Sequence, residues 1–148
     1  MTKAGVSGNV GYVSALEAYE MLKTDKSALL VDVRTKAEWS YVGGPDLSNL
    51  GREPIFLEWQ EYPSMRVNPE FVGKLKGLIA ERGGGEGSNV LFLCRSGVRS
   101  LQAASAMAAA GYARCYNIED GFEGRHDGHR RRGAAEGWKV SGLPWTQP

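Results

Sequence analysis

The run Asn89-Val90-Leu91-Phe92-Leu93 is apolar without alternation, the pattern of a short strand buried on both faces. It leads through Cys94-Arg95-Ser96-Gly97-Val98-Arg99-Ser100 into the alanine-rich run Leu101 to Ala110, which Gly111 stops. A covered strand, a polar turn and a helix of small residues confine the chain to the α/β class and put Cys94 on the turn, where such proteins hold a nucleophile. A helix starting at about Ser100 aims unpaired backbone N–H groups and its positive dipole end back into the loop. Arg95 and Arg99 add two fixed cations. All three effects favour thiolate over thiol, and the same loop is suited to binding anions. The bland alternative is a buried cysteine that merely ends a strand; the two arginines and Gly97 argue against it.

The remaining chain supplies partners for that unit. A first short strand covers about Val10 to Tyr12. Ser14-Ala15-Leu16-Glu17 is a capping box opening a helix to about Lys23, with Leu16, Tyr19 and Leu22 facing inward. Ala28 to Val33 is the second strand, uncharged until Asp32. Ligands of parallel sheets collect beyond the carboxyl ends of the strands, and Asp32 and Arg34 lie at such an end, as Cys94 does. A structural ion pair between neighbouring loops is the favoured reading of Asp32 and Arg34. Thr35-Lys36-Ala37-Glu38 forms a second capping box ahead of Gly43-Gly44-Pro45, and Ile55 to Trp59 is the third strand. Asn68-Pro69-Glu70 caps a helix to about Arg82, and Tyr112 to Ile118 is the fifth strand. Strand, helix, strand, strand, helix, strand, helix, strand predicts a parallel sheet with helices on both faces. Trp39 and Trp59 are more readily core or rim than a ligand platform. Gly83-Gly84-Gly85-Glu86-Gly87-Ser88 lacks the lysine of a phosphate loop and precedes its strand, so it is a flexible link.

At 148 residues the chain fits one domain, 1–148, with residues 1–9 frayed. A net charge of +1 gives no general pull toward nucleic acid or a membrane. The opening residues have no apolar core of signal-peptide length, so the expected location is cytoplasmic. Cys94 and Cys115 are expected to be reduced, with Cys115 an apolar filler of its strand. Neither paired cysteines nor finger spacing is present for zinc, and no metal site is expected.

The loop Cys94-Arg95-Ser96-Gly97-Val98-Arg99-Ser100 resembles the active-site loop of the rhodanese family of sulfurtransferases. Asp32-Val33-Arg34 with Glu38 after it is a second match. Tyr116-Asn117-Ile118 leading to Gly121, and Gly137-Trp138 with Gly142-Leu143-Pro144, extend the likeness from about residue 10 to residue 145. The chain departs from the family in lacking a Gly-His-Ile-type sequence near Gly43, and in a basic insertion over residues 125–137. That insertion is expected to be a solvated loop.

The resemblance implies a three-layer α/β/α fold with a five-stranded parallel sheet in the order 1-5-4-2-3. It implies that the Cys94 thiolate takes the outer sulfur of thiosulfate or a similar small anionic donor, forms a persulfide, and passes the sulfur to cyanide or a thiol, including one on a protein. Arg95, Ser96, Gly97, Val98, Arg99 and Ser100 would bind substrate and persulfide, with Asp32, Arg34 and Glu38 in support. No cofactor, nucleic acid or membrane is implied. Two rivals share features with this reading: a cysteine-dependent phosphatase or arsenate reductase, and a non-catalytic rhodanese-like docking module. Intact Cys94 counts against the docking module. Loop length counts against the phosphatase, because four residues separate Cys94 from Arg99 where cysteine-dependent phosphatases have five. The shorter loop leaves room for an added sulfur and too little for a phosphoryl group.

Overall fold

The computed structural model describes residues 10–124 and 136–147. The expected frayed start at residues 1–9 and all of the basic insertion except Glu136 and Gly137 lie outside them. In chain order the elements are β1 (Val10–Val13), α1 (Ala15–Thr24), β2 (Leu29–Asp32), α2 (Lys36–Tyr41), β3 (Gly44–Pro45), β4 (Ile55–Phe56), β5 (Gln60–Glu61), β6 (Arg66–Val67), α3 (Phe71–Glu81), β7 (Val90–Leu93), α4 (Val98–Ala109), β8 (Cys115–Ile118) and β9 (Trp145–Thr146). Five strands form a parallel sheet, β1-β8-β7-β2-β4. Counted along the chain these are first, fifth, fourth, second and third, the order the family resemblance implies. No helix among the described residues is long and apolar enough to cross a membrane.

Alternation along the central strands builds two cores. Leu29, Val31, Val90 and Phe92 face Phe71, Leu75 and Ile79 of α3 and Ala103, Ala104 and Met107 of α4. Leu30, Leu91 and Leu93 face Ala15, Ala18 and Leu22 of α1, together with Phe122, Trp138 and Leu143. Period-two geometry sends successive side chains to opposite faces, so strands covered on both sides are apolar throughout. Burial of each such Leu, Ile or Phe contributes about 1.5–3 kcal/mol.

Both capping boxes form as expected: Ser14 with Glu17 opens α1, and Thr35 with Glu38 opens α2. Four expectations need correction. Leu16 is 57% exposed, and Ala15, Ala18 and Leu22 are the buried residues of α1. The small alanines let the helix approach the sheet, and the Asp120 carboxylate accepts the Ala15 N–H, which fixes the rotation of the first turn. The third strand is only Ile55–Phe56. Asn68 does not cap α3 directly: its side chain accepts from the Glu70 N–H in a local turn, and the helix begins at Phe71. Finally α4 begins at Val98, not near Ser100, because Gly97 turns the chain with φ of 99° and serves as the residue before the helix.

Candidate active site

Cys94 follows the carboxyl end of β7 and is 1% exposed. The turn after it depends on glycine. A Cβ on Gly97 would meet the Glu119 carbonyl oxygen at 2.4 Å, and its positive φ disfavours any side chain. That turn brings the Gly97 N–H to 3.1 Å from Cys94 Sγ. The early start of α4 brings the buried Ser100 hydroxyl to 3.2 Å from the same sulfur. Ser100 also donates to the Asn117 side-chain oxygen, and Asn117 Nδ2 donates to the Gly97 carbonyl at 3.1 Å. The single hydroxyl hydrogen serves the sulfur or the amide oxygen at any one time. Asn117 therefore ties together both groups that reach Sγ. Sequence reasoning gave Asn117 no role at the site. Its signal was a lone carboxamide near the carboxyl end of an otherwise apolar strand beside the Cys94 strand.

The loop is held from behind. Phe122 donates to the Cys94 carbonyl at 2.8 Å, and Glu123 and Gly124 donate to the Arg95 carbonyl at 3.1 and 2.9 Å. Gly121 lies so close that a Cβ there would sit 2.4 Å from the Arg95 oxygen.

The two cations of the loop part company. Arg99 forms a two-pronged pair with Glu38, at 2.7 and 3.0 Å. Burial pushes the Glu38 carboxyl up, but the hydrogen bonds and charge of Arg99, with the Thr35 N–H, outweigh it and hold the carboxyl below its ordinary range. Arg95 is exposed and has no ion-pair partner among the described residues. Asp32 and Arg34 form a fully buried pair at 2.8 Å, with Arg34 also donating to the Gly43 carbonyl at 2.7 Å. The Arg34 guanidinium stacks 4.2 Å from the Phe122 ring centre, which faces a charge whose Nη1 lacks a hydrogen-bond partner. This pair is a brace between β2, the Gly43 turn and the segment behind the Cys94 loop.

Cys94 lies at a cavity of about 460 Å³. Arg95, Ser96, Val98 and Arg99 form one wall, and Glu38, Gln60 and Met65 the other. The hairpin β5–β6 thus contributes Gln60 and, from its turn, Met65, neither of which carried a signal in the sequence. Trp39 lines a separate apolar cavity with Phe56, while Trp59 packs edge-on against Phe71 and donates to Gln102. A cavity of about 490 Å³ at the other end of β2 holds Arg52 and Arg82, but both donate to backbone carbonyls. Cys115 contrasts with Cys94: it lies in apolar surroundings, its thiol donates to the Tyr112 carbonyl, and burial pushes its pKa up to about 12. Among the described residues no group of three or more His, Cys, Asp or Glu side chains is placed to hold a metal ion.

A backbone N–H and a shared hydroxyl meet Cys94 Sγ at the carboxyl edge of the parallel sheet, an arrangement suited to a nucleophile that faces the cavity. Comparison with known proteins gives this arrangement its kinship. The family model described as the STR4 middle domain matches residues 10–148. An uncharacterized protein of Rickettsia conorii, RC0915, is 39% identical over 137 residues, covering 93% of this chain and 98% of its own length. Rhodanese-like domain-containing protein 4 of the Arabidopsis thaliana chloroplast is 30% identical over 138 residues; this chain spans 26% of its length. The crystal structure of Rv0390 from M. tuberculosis superposes with a TM-score of 0.84 at 44% identity, covering 95% of this chain and all of that one. The chain belongs to the STR4 middle domain family.

Proposed function

We propose that the protein is a sulfurtransferase, which moves a sulfane sulfur from thiosulfate or a similar anionic donor through a Cys94 persulfide to a thiol or cyanide. The observation that carries the reading is the convergence of the Gly97 N–H and the Ser100 hydroxyl on Cys94 Sγ. Donors aimed at the sulfur itself suit the thiolate that attacks the donor and that leaves again when the acceptor takes the outer sulfur. The Cys94 thiolate attacks the outer sulfur of thiosulfate, the S–S bond of the donor breaks, and sulfite leaves with its electron pair. The acceptor then attacks the outer sulfur of the persulfide, and the Cys94 thiolate is released. Arg95 stands at the mouth as the cation that meets the donor. A single domain over 1–148 in the reducing cytoplasm is part of the same proposal. With thiosulfate and cyanide, steady-state kinetics should be ping-pong, Cys94→Ser should lose turnover, and an aryl phosphate should be hydrolysed negligibly. Cys94-dependent phosphatase turnover exceeding sulfur transfer would overturn the reading.

A further inference from the structure

The geometry points to Glu38 as a specificity-determining residue: by cancelling the charge of Arg99 it disfavours dianionic donors and leaves a site matched to organic sulfane-sulfur donors carrying one negative charge. This rests on the sulfur-transfer reading and concerns which donor that site takes. Both oxygens of Glu38 are engaged by the two terminal nitrogens of Arg99 at 2.7 and 3.0 Å, and both residues face the Cys94 cavity. With Cys94 as thiolate, two guanidiniums are balanced by one carboxylate and one sulfur anion, so the described lining carries no net charge. Such a lining offers a dianion no net attraction to offset the water it must shed.

The same cavity has an apolar side. Met65 and Val98 line it and are both exposed, Val98 to 66%. An inorganic anion has no use for these side chains, whereas the substituent of an organic donor can lie against them. In a thiosulfonate, R–SO2–S⁻, the Cys94 thiolate bonds to the terminal sulfur, the S–S bond breaks, and the sulfinate R–SO2⁻ leaves with the electron pair. Charge and sulfur balance as they do with thiosulfate.

The test compares benzene thiosulfonate with thiosulfate, cyanide being the acceptor and each rate normalised to the uncatalysed reaction of that donor with cyanide. In the wild-type protein kcat/KM should favour the thiosulfonate by about tenfold or more, an ordinary discrimination for one charge and one apolar contact. Glu38→Gln keeps the side-chain oxygen that caps α2 but frees the charge of Arg99. It should raise kcat/KM for thiosulfate several-fold at low salt and narrow the preference, with the gain fading as salt is added. Arg95→Gln, at an exposed side chain, should widen the preference, so the inference stays testable if Glu38→Gln folds poorly. A wild-type preference for thiosulfate, or a ratio that neither variant moves, would overturn the inference while leaving sulfur transfer standing. Failure of both donors to place sulfur on Cys94 would overturn the sulfur-transfer reading itself.

Discussion

Arg34 carries a full charge to a position without solvent, and its surroundings show how that is tolerated. Asp32 accepts from Nε and Nη2, Gly43 accepts a further hydrogen bond, and the Phe122 ring faces the guanidinium. Removing one member of a buried pair leaves the other uncompensated, which costs about 3–5 kcal/mol. Arg34→Met should therefore lower unfolding free energy in urea by about that amount. A loss below about 1 kcal/mol, the range of exposed pairs, would show that the pair is not the brace its burial suggests. Asp32 and Arg34 were legible as candidates because charges interrupt an apolar stretch, and Glu38 through its capping box and the family resemblance. Their partners were not equally so. Arg34 pairs two residues away, within reach of local reasoning, whereas Glu38 finds Arg99 across 61 positions, and only the closed sheet brings them together.

At the scale of elements, the Cys94 loop is shaped by what packs behind it. Gly121 has φ of 67° and leaves no room for a Cβ against the Arg95 peptide. Gly121→Ala must displace the loop that aims Gly97 and Ser100 at the sulfur. A misplacement of about 1 Å can cost roughly 100-fold in rate, so kcat/KM for sulfur transfer should fall at least tenfold. The melting temperature should fall by only about 3–8 °C, as one strained backbone position implies. Loss of stability with full activity would place the loop's aim elsewhere. The capping boxes at Ser14 and Thr35 were readable because a box is complete within four residues. The rotation of α1 was not, because the Asp120 carboxylate that receives its first N–H lies 105 positions away. The start of α4 was missed by about two residues for a related reason: Gly97 reads as a turn residue, while its close approach to the Glu119 backbone is a tertiary fact.

For the molecule as a whole, the parallel sheet places the ends of β2 and β7 side by side, with Asp32 paired to Leu93 in register, so Arg34, Glu38 and the Cys94 loop meet along one edge. The two cysteines, 21 positions apart in the chain, end in opposite chemical circumstances. Cys94 has a backbone N–H and a shared hydroxyl at its sulfur and a cavity before it; Cys115 is buried among apolar neighbours, and burial pushes its pKa up to about 12. The most direct measurement is peptide mapping by mass spectrometry after incubation with thiosulfate and no acceptor. The account predicts the added mass of one sulfur atom on the peptide carrying Cys94, none on the peptide carrying Cys115, and loss of the added mass when cyanide is supplied. Sulfur found mainly on Cys115, or full turnover in Cys94→Ser, would contradict it.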